Sequence, residues 1–246
     1  MGELRSLYGA GELLTQGVVH VTSAVRLSGQ VGARARLRVI AISERAPRSA
    51  SDFFVLNACR ARADALLTTA AIIRGEPSLV HTLQGQHAAQ LSAYRADLLH
   101  KPGAPLCAIL TRSAALPLTH PVWSDATPKL VLTTPESAAP LRLLLGSRAE
   151  VLAVVELDAR KAIALLQERG YPLISVEAGP SATGPLYEAP TVIDELLLSL
   201  YEGPLRGVEL GGELPSELLV ERECVGESER EEESGRWRFQ RWVLTR

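Results

Sequence analysis

An apolar segment that ends in a carboxylate and runs into a glycine turn is the first part of this sequence that could do chemistry. Residues 173–184 read Leu-Ile-Ser-Val-Glu-Ala-Gly-Pro-Ser-Ala-Thr-Gly. Gly179 would let a ligand approach the backbone, and Pro180 suits the first position of a helix. The N–H groups of residues 181–183 would then be free and would lie at the positive end of the helix dipole, where anions bind. The pattern indicates an anion site, although a tight connection without a ligand explains it equally well.

A second group of residues surrounds the arginine at position 60. Ser51 and Asp52 are typical of a helix N-cap, and the residues after them have a helical period that turns Arg60 inward. The predicted strand 65–69 runs into the small residues Thr69-Ala70-Ala71, which leave room for a ligand at the carboxyl edge of a sheet. Arg60 could pair with a phosphate or a carboxylate there. A surface salt bridge is the alternative interpretation for this arginine.

Other kinds of catalytic site find no support in the sequence. The 5 histidines and 3 cysteines do not occur in ligand pairs such as His-x-x-x-His or Cys-x-x-Cys. The Gly-x-Ser-x-Gly elbow of hydrolases and the Gly-x-Gly-x-x-Gly dinucleotide motif do not occur either. We therefore predict no metal site, and we interpret the histidines as structural or surface residues and the cysteines as buried hydrophobic residues.

The elements that must position these residues alternate between short apolar strands and segments of helical period, which predicts an α/β fold with parallel crossovers. Strands are predicted at residues 37–43, 65–69, 106–111, 129–133, 150–156, 173–177 and 195–200, and further helices at 88–99, 135–146 and 158–170. Two more strands, 218–224 and 237–244, flank the acidic segment 226–235. We interpret that segment as the solvated loop of a hairpin, with a partner-binding tail as the alternative.

Composition excludes several classes of protein. The chain has 246 residues, 46% of them hydrophobic, and a net charge of −2. This balance argues against nucleic-acid binding through a basic face. The longest apolar runs are too short to span a membrane, and the first residues lack the features of a secretory signal. We expect a cytoplasmic globular protein without a nucleic-acid or membrane partner.

Several segments occur in an order that is known from one enzyme family. They are Arg60-Ala-x-Ala-Asp-Ala-Leu-Leu, Arg74-Gly-Glu-Pro-Ser-Leu79, and Val176-Glu-Ala-Gly-Pro-Ser joined to Val192-Ile-Asp-Glu-Leu196. With them, the chain resembles the pyrimidine reductase of bacterial riboflavin biosynthesis, the C-terminal half of a bifunctional deaminase-reductase. The resemblance implies a dihydrofolate-reductase-like α/β fold: a mostly parallel central sheet, helices on both faces and an antiparallel C-terminal hairpin.

The resemblance also implies an activity and a set of binding residues. Members reduce the ribosyl group of a 5-amino-6-(5-phosphoribosylamino)uracil-like pyrimidine by hydride transfer from NADPH, and they need no protein nucleophile. The implied cofactor contacts are Thr69, Ala70, Ala71, Ile72, Glu76, Gly179, Pro180, Ser181, Ala182, Thr183 and Gly184. The implied substrate contacts are Arg60, Leu79 and Glu177, and catalytic residues stay unassigned.

Three departures from the family pattern leave an alternative open. The segment Ser43–Asp52 lacks the family's Ser-x-Asp-Gly motif, Ile72 replaces a threonine, and Val80-His81-Thr82 stands where an arginine is expected. The alternative is a divergent member with another small-molecule substrate, or a non-catalytic ligand-binding or interaction module.

The organisation of the chain follows from the same resemblance. Residues 1–36 are interpreted as an N-terminal extension and residues 37–246 as one reductase domain, a length that suits a single domain. The resemblance implies a homodimer, and the apolar strand predicted at 195–200 could pack against a partner.

Overall fold

A computed structural model describes residues 2–9, 11–27, 36–215, 219 and 222–244 of the protein. The α-helices of this described part are α1 (Gly2–Tyr8), α2 (Ala50–Arg62), α3 (Ala70–Gly75), α4 (Ala88–Ala93), α5 (Pro135–Leu145), α6 (Ala159–Glu168) and α7 (Pro180–Tyr187). Its strands are β1 (Gly17–Leu27), β2 (Arg36–Ile40), β3 (Ala65–Thr69), β4 (Leu106–Leu110), β5 (Lys129–Thr133), β6 (Glu150–Ala153), β7 (Leu173–Val176), β8 (Glu195–Tyr201), β9 (Leu210–Leu214), β10 (Glu223–Glu232) and β11 (Gly235–Val243). The predicted α/β class is confirmed.

The chain forms two compact units. The central unit comprises residues 57–178, and the terminal unit comprises the residues up to Leu56 and from Gly179 onward. The central unit holds a purely parallel arrangement of strands in the order β7-β3-β4-β5-β6. Its inner strands β4 and β5 are buried along almost their whole length and apolar in their middle residues, as expected for strands with both faces covered. Because parallel strands end at one edge, the residues that follow β3 and β7 come together.

Local capping explains where the helices of the central unit begin and end. The Asp158 carboxylate accepts a hydrogen bond from the Lys161 amide at 2.7 Å, and Gly170 has a φ of +86° just past the end of α6. Both caps were predicted. The predicted helix 88–99 is α4 followed by a wider π turn over Tyr94–Leu98, so only its first half is α-helical.

The N-cap predicted at residues 51–52 is wrong by two to three residues. The Ser49 hydroxyl caps α2, because it accepts a hydrogen bond from the Asp52 amide at 2.9 Å. The Glu232 carboxylate supports this start by accepting hydrogen bonds from the Ala50 and Ser51 amides at 2.7 and 3.3 Å. Asp52 instead lies inside the helix and accepts a hydrogen bond from the Ser23 hydroxyl at 2.8 Å.

The terminal unit has the strand order β10-β11-β8-β1-β2-β9. Strand β8 pairs in parallel with β1 and antiparallel with β11, and all seven of its residues are buried. The expectation that this strand could pack against a partner subunit is therefore wrong, because two strands of its own unit occupy its edges. Strands β10 and β11 form the predicted antiparallel C-terminal hairpin.

The acidic segment between the hairpin strands is not the loop that the sequence predicts. Residues 223–232 belong to β10, and the turn covers only Glu233 and Ser234. Arginines on β11 neutralise the charges across the ladder: Arg238 contacts Glu227 at 3.1 Å and Glu229 at 2.8 Å. These cross-strand ion pairs stabilise the acidic segment as an edge strand. Of the strand predicted at 218–224, residues 218, 220 and 221 lie outside the described part.

The segment interpreted as an N-terminal extension contains α1 and β1, and β1 pairs with β2 and β8 inside the terminal unit. The domain division of the sequence analysis stays a prediction. Two of the cysteines, Cys59 and Cys107, are buried as expected, whereas Cys224 is half-buried. Within the described residues, no helix is both long and apolar enough to cross a membrane.

Candidate active site

Arg60 and Glu177 form a buried ion pair in the central unit. The Arg60 Nε donates to Glu177 Oε1 and Oε2 at 3.0 and 3.1 Å, and Nη2 donates to Oε2 at 2.7 Å. The exposed fractions of the two side chains are 2% and 9%. The Arg60 side chain does turn inward, as predicted, but it is committed to a protein carboxylate and the predicted alternative of a surface salt bridge is wrong. Its Nη1 donates to the Val80 carbonyl at 3.1 Å.

The fold brings these two residues together for a simple reason. Arg60 lies in the last turn of α2, and Glu177 directly follows β7. The Glu177 amide donates to the Leu67 carbonyl at 2.9 Å, so the backbone of β7 stays in register with β3 up to the carboxylate. Both charged groups therefore lie at the carboxyl edge of the central parallel strands, where open α/β folds bind ligands.

Glu76 adds a second carboxyl group to this edge. It caps the end of α3, where its amide donates to the Ile72 carbonyl at 2.9 Å. Its own carbonyl accepts from the Leu79 amide at 3.0 Å and from His120 Nε2 at 2.7 Å. Burial, followed by the negative charge of Glu177, raises the pKa of Glu76 to about 7, with Arg60 acting in the opposite direction. The site thus holds one carboxyl group paired with an arginine and a second one, on Glu76, that is readily protonated.

The start of α3 follows β3 without a loop. The Thr69 hydroxyl accepts a hydrogen bond from the Ile72 amide at 3.3 Å and so caps the helix. Ala70 is buried, Ala71 is exposed and Ile72 is half-buried. Of the four predicted cofactor contacts here, the Ala70 side chain therefore packs into the core, and the other three present surface at the carboxyl edge.

The loop after α3 contains the residues that depart from the family pattern. Leu79 is half-buried, and His81 follows Val80 with only 1% of its surface exposed. The His81 amide donates to Asp125 Oδ2 at 3.0 Å. Burial lowers the pKa of His81 to about 4, so the imidazole is neutral beside the Arg60 and Glu177 charges. His81 thus fits its predicted structural role, and it does not supply the positive charge of the missing arginine.

Asp125, which accepts the hydrogen bond from the His81 amide, also forms a second buried ion pair that the sequence did not predict. Lys129 Nζ contacts Asp125 Oδ1 at 2.5 Å, and the exposed fractions of the two side chains are 3% and 5%. Burial opposes ionisation of Asp125, but hydrogen bonds from Lys129 and Thr127 keep its pKa below the usual value. The only sequence signal for this pair was the spacing of four residues. That spacing is typical of ion pairs on a helix, whereas here Lys129 begins a strand and Asp125 lies in the turn before it.

The glycine turn at 179–184 belongs to the terminal unit and begins α7, with Gly179 as the N-cap and Pro180 at the first helical position, as predicted. The expectation of three free N–H groups is wrong, because the Ala182 and Thr183 amides donate to the Gly179 carbonyl at 3.0 and 3.1 Å. The Ser181 amide makes no such bond among the described residues, and Ser181 is exposed. A Cβ added at Gly179 or Gly184 would meet no atom within 4 Å.

The histidines agree with the structural interpretation where they are buried. His20 Nδ1 lies 2.5 Å from the Tyr187 hydroxyl, and His120 Nδ1 accepts from the Val122 amide at 3.1 Å. His87 and His100 are half-buried and exposed, respectively. Within the described part of the chain, no three His, Cys, Asp or Glu side chains form a group that could hold a metal ion.

Comparison with solved structures indicates the fold. A pyrimidine reductase-like protein from Corynebacterium diphtheriae is 20% identical with a TM-score of 0.67, and the match covers 99% of both chains. A bifunctional deaminase and 5-amino-6-(5-phosphoribosylamino)uracil reductase from Thermotoga maritima is 12% identical with a TM-score of 0.62, covering 94% of this chain and 57% of that one. The riboflavin biosynthesis reductase Rib7 from Saccharomyces cerevisiae is 14% identical with a TM-score of 0.53, covering 98% and 97%.

These matches confirm the predicted dihydrofolate-reductase-like fold of riboflavin-pathway reductases. No curated protein matches the chain in sequence. Residues 19–204 match the family described as the RibD C-terminal domain. The predicted resemblance is therefore confirmed, and the chain belongs to the RibD C-terminal domain family.

Proposed function

We propose that this protein is an NADPH-dependent reductase that reduces the ribosyl group of a 5-amino-6-(5-phosphoribosylamino)uracil-like pyrimidine by hydride transfer. The observation that carries the proposal is the group formed by Arg60, Glu177 and Glu76 at the carboxyl edge of the central strands. Membership of the RibD C-terminal domain family supports the reaction class. A site of fixed charges without a nucleophile suits a reaction that depends on positioning and electrostatics.

The residues present fit a nicotinamide dinucleotide. The open space beside Gly179 and Gly184 admits a ligand close to the backbone, and the amide of Ser181, an exposed residue, can donate to a phosphate. In the central unit, Thr69, Ala71 and Ile72 would contact the cofactor. The bound cofactor supplies the hydride. Ile72 lacks the hydroxyl that the family pattern has at this position, so its contact would be apolar.

Of the predicted substrate residues Arg60, Leu79 and Glu177, we propose that Leu79 and Glu177 contact the substrate and that Arg60 positions Glu177. The ion pair fixes the Glu177 carboxylate, whose oxygens can accept hydrogen bonds from the N–H groups of a pyrimidine. Arg60 acts through Glu177 and through the Val80 carbonyl, and it orients both groups. Leu79 offers an apolar surface for a planar ring.

One observation favours a second candidate, a reductase of the same fold with another small-molecule substrate. Val80-His81-Thr82 replaces the expected arginine, and the neutral His81 cannot pair with a phosphate as a cation does. Because Arg60 is committed to Glu177, it does not compensate for that loss. A substrate with less negative charge would suit this site better than a phosphorylated one.

The test measures cofactor binding and turnover separately. Purified protein is titrated with NADPH and with NADH, binding is followed by nicotinamide fluorescence, and the pyrimidine is then added while reduced nicotinamide absorbance is recorded. We expect binding and turnover. Tight NADPH binding with no turnover of the pyrimidine would favour the second candidate. The absence of any binding by folded protein would refute the reductase proposal.

A pair of variants at Gly179 tests the cofactor site. The φ of −72° at this residue suits any amino acid, and a Cβ there meets no atom, so the fold should accept both alanine and leucine. We expect Gly179→Leu to weaken NADPH binding by at least about tenfold, about 1.4 kcal/mol, because it fills the approach to the backbone. Gly179→Ala is the control and should bind far better. Equal affinity of Gly179→Leu and wild type would refute this site.

The homodimer and the cytoplasmic location are part of the same proposal and rest on the family resemblance. Sedimentation equilibrium of the full chain measures the oligomeric state, and the molecular mass of a monomer would contradict the homodimer.

A further inference from the structure

One peptide group of the central unit lies between two buried ion pairs. It joins Val80 to His81, in the loop that follows α3. Its C=O accepts a hydrogen bond from Arg60 Nη1 at 3.1 Å, and its N–H donates to Asp125 Oδ2 at 3.0 Å. Arg60 and Asp125 each belong to a different ion pair. We call Arg60–Glu177 the site pair and Asp125–Lys129 the support pair.

We propose that the support pair positions the site pair through this peptide group, which makes Asp125 a positioning residue of the candidate site. The Val80–His81 group is trans, so its N–H and C=O point in opposite directions within one plane. A hydrogen bond that fixes the N–H therefore also fixes the direction of the C=O. The inference rests on the proposed function, because it matters for the reaction only if Glu177 contacts the substrate.

The Asp125 carboxylate is held by its other oxygen. Oδ1 contacts Lys129 Nζ at 2.5 Å, and it accepts hydrogen bonds from the Thr127 amide at 3.0 Å and from the Thr127 hydroxyl. Lys129 is the first residue of β5, and its Nζ also donates to the Thr127 carbonyl. Oδ2 is thus presented to the His81 amide by a turn that is attached to the central strands.

On the other side of the peptide group, the Val80 carbonyl is a third point of contact for the Arg60 guanidinium. Nε and Nη2 donate to the Glu177 carboxylate, and Nη1 donates to Val80. Two planar groups joined by a bidentate bond can tilt together as a unit. A carbonyl that is fixed by the backbone limits this tilt. The Glu177 oxygens, which are proposed to face the substrate, keep their direction for the same reason.

The link runs through the backbone, and the His81 ring takes no part in it. The ring is 1% exposed, and its two nitrogens have no hydrogen-bond partner among the described residues. Burial lowers the pKa of this ring to about 4, so it adds no cation to those of Arg60 and Lys129. Each ion pair is therefore neutral by itself, and the peptide group transmits direction between the pairs without a net charge.

Two double variants separate this positioning from stability. Asp125→Leu with Lys129→Met is the acceptor-free variant, and Asp125→Asn with Lys129→Met is the acceptor-keeping variant. Both remove the two charges of the support pair, so neither leaves a buried ion uncompensated. Leucine and asparagine have the same branched shape, but only asparagine can accept a hydrogen bond from the His81 amide. Urea unfolding measures the stability of both variants.

The first readout is the Nε–H resonance of Arg60, assigned through the backbone of protein labelled with ¹³C and ¹⁵N. Its hydrogen exchange with solvent should be about tenfold faster in the acceptor-free variant than in the acceptor-keeping variant, which should resemble wild type. The second readout is turnover. KM for the pyrimidine should be about tenfold higher in the acceptor-free variant. Kd for NADPH should be equal in the two variants, because the proposed cofactor contacts lie at α3 and at the glycine turn.

Equal exchange rates of Arg60 in the two double variants would overturn the proposal, because the acceptor at position 125 would then have no effect on the site pair. Faster exchange in both variants, in step with their loss of stability, would overturn it as well and would indicate a purely structural role. Asp125→Ala with Lys129→Met also lacks the acceptor and cannot crowd the turn, so it takes the place of an acceptor-free variant that does not fold. A wild type that binds NADPH and turns over no pyrimidine would refute the proposed function, whereas the Arg60 exchange rates would still decide the positioning.

Discussion

The buried ion pair between Arg60 and Glu177 makes a prediction about stability that can be separated from any catalytic effect. Glu177→Gln removes the anion and leaves the Arg60 guanidinium with 2% of its side chain exposed. The glutamine keeps the shape of the side chain and can still accept one hydrogen bond. What it removes is the charge that compensates a buried cation.

The expected loss follows from the burial of the pair. Removing one partner of a buried ion pair costs about 3–5 kcal/mol, because the other charge stays uncompensated. Replacing both partners with apolar residues of similar size costs little. We therefore expect Arg60→Met and Glu177→Met each to cost about 3–5 kcal/mol, and the double variant to cost less than either. Both variants without Arg60 also lose its hydrogen bond to the Val80 carbonyl, which increases their loss of stability by about 1 kcal/mol.

The exposed pair between Arg169 and Glu150 is a matched control. It has the same chemistry, with hydrogen bonds of 2.8 and 2.9 Å, but its side chains are 34% and 54% exposed. Glu150→Gln should cost about 1 kcal/mol or less.

Equilibrium unfolding in urea, followed by tryptophan fluorescence and circular dichroism, measures all the variants. Losses of similar size for Glu177→Gln and Glu150→Gln, both near 1 kcal/mol, would refute the argument from burial. A double variant at Arg60 and Glu177 that loses the sum of the two single losses would refute it as well, since it would indicate no coupling between the two residues.

Three further predictions concern stability. Burial lowers the pKa of His20 and His81 to about 4 in the folded protein, so the unfolded chain binds more protons between pH 6.5 and 4. Each histidine should therefore lower the free energy of unfolding by about 3 kcal/mol as the pH falls through that window. In His20→Gln or His81→Gln, the free energy of unfolding, measured with urea, should change less with pH. A pH dependence equal to that of wild type would contradict this. Thr69→Ala should lower the free energy of unfolding by about 1 kcal/mol, because it removes the cap of α3. Thr134→Ala should cost less in the same unfolding assay, because the Thr134 side chain caps no helix amide and bonds to the exposed Glu136 carboxylate. Gly226→Ala should lower the melting temperature by several degrees, because its Cβ would lie 1.9 Å from a carbonyl oxygen of α1; an unchanged melting temperature would contradict the observed packing of α1 on β10.

Local sequence patterns predicted the elements that depend on local forces. The alternation of apolar runs located β3 and β5 to the residue, and Asp158 and Gly170 marked the two ends of α6. These signals work because caps and buried parallel strands depend on residues close in the chain. They failed for the acidic segment, whose strand is stabilised by arginines of β11 on the other side of the turn.

For the candidate site as well, the sequence predicted which residues belong together but not the contacts between distant residues. Sequence order identified Arg60, Glu177 and Glu76 as members of one site through a family resemblance, and it gave an inward direction for Arg60. It did not predict that Arg60 and Glu177 pair with each other, since 117 residues separate them. The Asp125–Lys129 pair and the bond from His120 to the Glu76 carbonyl were missed because their meaning depends on burial.

By itself, the sequence determined the α/β class, the parallel crossovers, the family, and the absence of motifs for metal or nucleophilic chemistry. Those properties follow from hydrophobic period, turn residues and motif order, which are all local. Tertiary structure alone decided which charges are compensated. In the folded chain, Glu177 pairs with Arg60, both charges act on the nearby Glu76, and His81 is a buried, neutral ring. These properties depend on burial and on neighbours that only the folded chain brings together.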